Sequence, residues 1–329
     1  MSSISVVIPV YRSRETLVVL HRRLVEVLEH HAPEFEIILV EDCGGDGSWD
    51  VIRQLAAADP RVRGVQLGRN YGQHNALLCG IRLARFELVV TLDDDLQTPP
   101  EEIPKLLARL SEGFDVVYGT PNQEQHGLLR NAASRITKMV LQRAMGAETA
   151  GRVSAFRVFR SRVSTPFSQF RGPFVSVDVL LTWGTSRFAH AVVRHDPRSV
   201  GKSNYTVGKL LSHAINMMTG FSTMPLQIAS VVGFLFTVFG LLILSYVVGR
   251  YLIDGTTMPG FPFLASIIAI FSGAQLFAIG IIGEYLARMH FHTMERPSYV
   301  VIEETRPSPA MPPRSSPSSL ALPPLSPGS

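Results

Sequence analysis

The sequence predicts an α/β protein, with a parallel sheet covered by helices on both faces, followed by a pair of membrane-crossing helices. Three observations predict it. Short apolar, β-branched runs alternate with segments of helical period over residues 4–120. Each run ends in a polar loop (9–12, 41–48, 68–74 and 93–97), and right-handed crossovers set those loops along one sheet edge. Two later stretches of 23 residues, Leu226–Val248 and Phe261–Gly283, contain no charged residue.

Taken in order, Ile4–Tyr11 reads as a strand and 14–30 as a helix, with Leu17, Leu20, Leu24 and Leu28 at helical spacing. No signal peptide is expected, because the apolar run Ile4–Val10 is too short. Phe35–Val40 is a strand ending in an acidic, glycine-rich loop from Glu41 to Ser48, followed by a helix over 49–58 and a strand over Val62–Leu67. A polar loop, 68–75, opens a helix to about Ala84, and Leu88–Leu92 is a buried strand. A helix over 100–111 and a strand over Asp115–Gly119 follow, then a strand over 153–160 and one or two helices over 161–183.

Composition narrows the function. A net charge of +4 over 329 residues does not suggest a nucleic-acid partner. Cys43 and Cys79 form neither a disulfide framework nor a metal-binding spacing, and fit a reduced compartment. The glycine fingerprints of dinucleotide-binding and ATP-hydrolysing loops are absent from the sequence.

The chemistry centres on Asp93-Asp94-Asp95 at the carboxyl end of the Leu88–Leu92 strand, the edge at which open α/β sheets bind ligands. Three adjacent carboxylates repel one another, and a hard divalent cation, Mg²⁺ or Mn²⁺, would relieve that repulsion. A solvated turn, with Asp95 or Thr98 capping the next helix, is the other reading of these residues. Pro99, Pro100, Glu101 and Glu102 suit a helix start.

The membrane side is equally patterned. Residues 128–145 place Leu128, Leu129, Ala132, Ile136, Met139, Val140 and Met145 near one helix face, with Arg130, Arg135, Lys138 and Arg143 interleaved. Such a basic amphipathic helix suits a membrane surface or an anionic group, and 206–222 is a second one. Each 23-residue apolar stretch is long enough for a hydrocarbon core of ~30 Å, and the short connector between them makes the pair a hairpin. Lys202, Lys209, Arg288 and Arg296 flank it on one side, which the positive-inside rule makes cytoplasmic. Residues 307–329, with eight Pro and seven Ser, are expected to be disordered. An acidic metal-site candidate beside basic interfacial helices predicts transfer of a group from a nucleotide diphosphate onto a lipid phosphate.

Four motifs carry a resemblance: 6–11 (Val-Val-Ile-Pro-Val-Tyr), 40–48 (Val-Glu-Asp-Cys-Gly-Gly-Asp-Gly-Ser), 69–76 (Arg-Asn-Tyr-Gly-Gln-His-Asn-Ala) and 92–104 (Leu-Asp-Asp-Asp-Leu-Gln-Thr-Pro-Pro-Glu-Glu-Ile-Pro). With 201–205, the hairpin, 282–288 and 296–300, they resemble the bacterial polyprenyl-phosphate (undecaprenyl-phosphate) glycosyltransferases of the inverting family-2 GT-A type. The pattern is nearest to the group that transfers 4-deoxy-4-formamido-L-arabinose, with dolichol-phosphate mannose synthases more distant. The resemblance implies a Rossmann-like GT-A nucleotide-sugar domain over 1–200, an interfacial region over 201–225 and two transmembrane helices within 226–286 (about 226–248 and 261–286). A juxtamembrane segment over 287–306 and the tail complete the chain. It implies a multi-pass protein of the bacterial inner membrane, a cytoplasmic catalytic domain and a homo-oligomer, a tetramer in relatives.

The resemblance also implies roles. Pro9, Tyr11 and Asp42 would hold the nucleobase, with Glu15 supporting that loop. Asp93 would lie near the ribose and diphosphate, Asp95 on the Mg²⁺ or Mn²⁺, and Gln97 on the acceptor side. Arg130 and Ser134 would bind the lipid phosphate, and Arg194, Arg198 and Lys202 would make further contacts to the diphosphate or the acceptor. Read from the residues alone, Asp94 in an extended segment points away from the Asp93/Asp95 face and is a spacer, Gln73 and His74 are helix caps or site residues, and both cysteines are inert. Two departures stand out: Arg12 occupies a position where relatives often have Asn, and Thr120-Pro121-Asn122 lacks an Arg that relatives often carry. A processive polysaccharide synthase is disfavoured, because neither Trp49 nor Trp183 has the context of such enzymes' Gln-x-x-Arg-Trp motif. A catalytically silent scaffold is disfavoured by the intact Asp93 and Asp95.

Overall fold

The computed structural model describes residues 2–121, 152–172, 175–196, 224–254, 260–294 and 297–305. The two amphipathic segments, 128–145 and 206–222, and the Pro/Ser-rich tail lie outside these residues, as do Arg130, Ser134, Arg198 and Lys202.

The alternation read from the sequence is present. β1 (Ile4–Val10), α1 (Leu17–His31), β2 (Phe35–Glu41), α2 (Ser48–Ala58), β3 (Val62–Leu67), α3 (Gln73–Leu83), β4 (Leu88–Thr91), α4 (Ile103–Ser111) and β5 (Val116–Pro121) follow in order. β1, β2, β3 and β4 are parallel neighbours. Every residue of β1 and β2 is buried, as strands covered on both faces require. Their side chains alternate between two cores: Val6 and Ile8 point into the core under α1, α2 and α4, while Val7 points into the one under α3.

An all-parallel sheet is not what forms. After β6 (Arg157–Arg160) come α5 (Val177–Leu181) and β7 (Phe188–Val193), and β8 (Val301–Glu304) closes the described chain. The eight strands run in the order β7-β5-β6-β4-β1-β2-β3-β8. β6 is antiparallel to both β4 and β5, and β8 is antiparallel to β3. β6 reaches the sheet from the edge that carries the polar loops, so it can only enter running the other way. The expected strand at 153–160 therefore pairs only over 157–160, and 152–156 becomes loop at that edge. The helices expected over 161–183 shrink to a 3-10 turn at Ser161–Phe167 and the five-residue α5.

Asp115, at the opposite edge, anchors this half. Its carboxylate accepts hydrogen bonds from Arg162 Nη2 (2.7 Å), Thr185 Oγ1 (2.8 Å) and Arg187 Nε (2.9 Å). Burial opposes the charge, but these donors outweigh it and hold the pKa at about 2. An unfolded aspartate titrates near ~3.9, so the depressed value contributes on the order of 2 kcal/mol above that pH, lost as pH falls toward 2. A thermal midpoint measured against pH in detergent is expected to fall between about pH 4 and pH 2, and Asp115→Asn is expected to lower the neutral-pH midpoint and flatten that slope.

Two long helices, α6 (Met224–Asp254) and α7 (Phe261–Thr293), contain 31 and 33 residues. At ~1.5 Å per residue each exceeds the ~30 Å hydrocarbon thickness. They lie side by side, with Phe236 and Phe271 edge to face at 5.6 Å and Gly240 leaving room for the Phe271 ring. Phe234, Leu235, Leu242, Leu276 and Phe277 are all exposed, an apolar surface far larger than a soluble domain leaves in water. Ile270–Ala287 in α7 is an 18-residue window apolar enough to cross a membrane, whereas the apolar window in α6, Ala229–Ile243, is shorter.

The chain rejoins the sheet after α7. Ser298 Oγ donates to Gly172 O (2.9 Å), Arg82 lies over the Tyr299 ring, and β8 pairs along β3. Arg63 Nη2 donates to Glu304 (2.8 Å) and Trp49 Nε1 to Glu303 (3.1 Å). A chain that leaves the sheet after β7 and returns at β8 has both flanks of its apolar helices on one side, the requirement for a hairpin.

Candidate active site

The carboxyl ends of β1, β2, β4, β5 and β7 and the entrance of β6 meet at one sheet edge, and the polar loops meet there as predicted. Alternation continues past β4. Val89 and Thr91 face α3, and so does Asp93, whose Oδ1 accepts from Gln73 Nε2 at 2.6 Å. Val90 and Leu92 face α1, and so does Asp94, whose Oδ2 accepts the Tyr11 N–H at 2.9 Å.

Asp94 thus faces away from its neighbours, yet it clamps the β4 loop to the β1 loop, a role its reading as a spacer did not contain. Thr16 Oγ1 adds a bond to Asp94 O at 2.7 Å. Burial raises the Asp94 pKa, against hydrogen bonds from Ser13 and the Tyr11 N–H.

Asp95 Oδ1 accepts the Gln97 N–H at 3.1 Å, a local turn that re-aims the chain. Leu96 between them has φ +60°, an unfavourable conformation for a branched side chain, and its packing against the core beside α1 holds it there. Asp196 N donates to Gln97 O at 2.7 Å, so the loop after β7 fastens onto the same turn. A cleft of about 100 Å³ is lined by Asp93, Asp95, Gln97, Ser154, Ala155 and His195, among others.

The nucleobase-side residues are placed less openly. Pro9 is buried in β1 opposite Val40, whereas Tyr11 and Glu15 are exposed. Asp42 is buried, and its oxygens accept the N–H groups of Tyr71 and Gly72, each at 2.7 Å. Burial raises its pKa to about 6, with those two bonds pulling the other way. Asp42 therefore ties the β2 loop to the β3 loop, with the Tyr71 side chain presented beside it under the Arg69 guanidinium (4.6 Å). Arg12 adopts φ +57°, the left-handed conformation that Asn tolerates better than Arg. Its Nε donates to Gly44 O at 3.2 Å and its guanidinium lies 5.3 Å from the Tyr11 ring.

Arg194 pairs with Asp196 at 3.1 Å, leaving His195 to enter the cleft. The sequence assigned no role to His195 and left Gln73 as a helix cap or a site residue; the Gln73 Nε2 donates to Asp93 at the cleft. The signal for His195 was its place directly after a strand, Phe188–Val193, whose alternation is blurred by two alanines. Cys79 is buried and burial pushes its thiol up to about 12, which makes it inert, whereas Cys43 is exposed in the β2 loop.

Among the described residues, no three His, Cys, Asp or Glu side chains converge closely enough to hold a metal unaided. Two carboxylates at one cleft still fit a hard cation that takes its remaining ligands from phosphate oxygens and water, the usual donor set of Mg²⁺.

The model of the family described as "Glycosyl transferase family 2" matches residues 5–165. The undecaprenyl-phosphate 4-deoxy-4-formamido-L-arabinose transferase of Pseudomonas fluorescens is 33% identical over 312 residues, covering 94% of this chain and 92% of its own. The enzyme of the same name from Proteus mirabilis is 34% identical over 304 residues, covering 92% and 93%. Among solved structures, glucosyl-3-phosphoglycerate synthase from Mycobacterium tuberculosis, in complex with Mn²⁺, UDP-glucose and phosphoglyceric acid, matches at 17% identity with a TM-score of 0.48. That match covers 66% of this chain and 78% of that one. With relatives of this identity matching along almost their whole length, the chain is a glycosyltransferase and belongs to glycosyl transferase family 2.

Proposed function

We propose that the protein transfers a sugar from a UDP-sugar to undecaprenyl phosphate at the cytoplasmic face of the bacterial inner membrane, with inversion at the anomeric carbon. The product is a lipid-linked sugar for cell-envelope glycan modification. The observation that carries this reading is the cleft in which Asp93, Asp95 and Gln97 meet at the carboxyl edge of the sheet, in a chain whose apolar helices leave and rejoin that sheet. The acceptor follows the names of the relatives, which match across the apolar helices as well as the sheet.

In this reading Tyr11 and the loop tied by Asp42 flank the uracil, and Asp93 lies near the ribose and diphosphate. Asp95, with Asp93, would hold Mg²⁺ or Mn²⁺, which when bound neutralises charge on the leaving diphosphate. Arg130 and Ser134, with Arg198 and Lys202 as further contacts, hold the acceptor phosphate beside the membrane surface. The lipid phosphate oxygen attacks the anomeric carbon from the face opposite the nucleotide, the C–O bond to the diphosphate breaks, and UDP leaves with that electron pair. A phosphate monoester with a second pKa near ~6 is already largely dianionic at pH 7, so the chain need not supply a strong base. Its contribution is placement: Gln97 is fixed by Asp95 and Asp196, and Asp93 by Gln73.

The test is to incubate the full-length protein in membranes with undecaprenyl phosphate and a panel of UDP-sugars, and to weigh the lipid product. One sugar is expected to appear on the lipid phosphate. No product with any donor, together with no effect of UDP and Mn²⁺ on the thermal midpoint, would favour a silent scaffold.

A further inference from the structure

A charged side chain lies where a sheet should have none. Arg157 is the first residue of β6 and is 1% exposed. Burying a guanidinium costs several kcal/mol unless it is paired and hydrogen-bonded, and here it is both. It is in register with Thr91 of β4 and Tyr118 of β5. Nε donates to Thr91 Oγ1 at 3.0 Å, and Nη1 pairs with the Asp178 carboxylate, which also accepts from Tyr118 Oη at 3.1 Å.

Followed outward, these bonds do not end in the core. On one side Thr91 Oγ1 donates to Ala155 O at 2.6 Å, just beyond the last β4–β6 pair, and Ala155 lines the cleft with Asp93 and Asp95. On the other side Asp178 sits on α5, whose first N–H (Val177) reaches His74 Nδ1 at 3.4 Å. His74 adjoins Gln73, the residue whose side chain holds Asp93. The polar chain thus encircles the carboxyl end of β4 and touches the cleft at both of its ends.

We propose that Arg157 is a positioning residue for donor binding: through Thr91 and Ala155 on one side, and Asp178, α5 and α3 on the other, it sets the distance between the Asp93/Asp95 turn and the wall opposite. A guanidinium suits this place because its planar fork presents Nε to Thr91 and Nη1 to Asp178 from fixed, separate positions, where an ammonium offers a single nitrogen. Asp178 and Tyr118 share the role, since each removes one direction of freedom from that fork.

The inference rests on the reading of the cleft as a UDP-sugar site, so its test uses donor-side binding. Arg157→Met/Asp178→Leu/Tyr118→Phe replaces the buried charges and the hydroxyl with apolar groups of similar size, an exchange that buried ion pairs often tolerate without loss of stability. The full-length variant in detergent is expected to keep a near-wild-type thermal midpoint while its affinity for UDP with Mn²⁺ falls at least ~10-fold, as for lost supporting contacts around a metal site. Arg157→Lys keeps the charge and loses one arm of the fork, and is expected to fall between wild type and the triple variant. Wild-type UDP affinity and donor KM in a folded triple variant, or in Arg157→Lys, would overturn the proposal and leave the network as fold glue. Failure of the wild-type protein to bind UDP with Mn²⁺ would instead strike the donor reading itself.

Discussion

Asp95→Asn is expected to reduce sugar transfer by at least ~10²-fold while leaving the fold intact, the signature of about 3 kcal/mol of lost transition-state stabilisation. Asp95 Oδ1 accepts the Gln97 N–H, and an asparagine Oδ1 accepts the same bond. What the amide lacks is the negative charge and the second hard oxygen that a cation beside a diphosphate requires. The wild-type thermal midpoint is expected to rise with UDP only when Mn²⁺ or Mg²⁺ is present, and that rise is expected to vanish in Asp95→Asn. Asp94→Asn makes the contrast: it weakens the clamp on the Tyr11 N–H and should cost stability more than turnover. Full transfer by Asp95→Asn with excess Mg²⁺ would remove the metal role from this residue.

The difference between these two adjacent carboxylates shows how far the sequence could be read. Parallel β1, β2, β3 and β4 and the meeting of their loops were legible, because the apolar runs are long and β-branched and each is followed by a helical period. Alternation also placed Asp94 on the far face from Asp93. What it pointed at, the Tyr11 N–H some eighty residues earlier, is a tertiary fact with no local signature. The sheet beyond β5 was read poorly for the same reason. β6 is short and antiparallel, β7 alternates weakly, and β8 is four residues pinned by Arg63, Trp49 and Gly64 rather than by its own propensity. His195 went unplaced because its strand did. Arg157 drew no reading of its own, since nothing in Phe-Arg-Val-Phe-Arg distinguishes the buried arginine from the partly exposed Arg160.

Gly80→Val is expected to damage the scaffold severely, and its effect should reach the site. Gly80 lies on α3 where the helix meets the sheet, and a Cβ there would stand 2.3 Å from Val7 Cγ1 and 3.2 Å from Val40 Cγ2. Real Cβ atoms do not approach so closely, so even Gly80→Ala must push α3 away or displace Val7. Both valines are fully buried in β1 and β2, at the centre of the sheet, and have nowhere to go. Overpacking of this kind costs about 1–3 kcal/mol for the alanine, and more for a β-branched residue in mid-helix. The thermal midpoint in detergent is expected to fall by several degrees for Gly80→Ala and further for Gly80→Val. Because α3 begins at Gln73 and His74, a helix moved outward also loosens Gln73 from Asp93 and His74 from α5, so affinity for UDP with Mn²⁺ should weaken in step. Val7→Ala placed on the Gly80→Ala background removes the clashing methyl groups, and should recover part of both losses. Two substitutions that each destabilise alone but compensate together would mark this contact as the one that sets the height of α3 over the sheet. Simple additivity of the two would show that α3 is positioned from elsewhere.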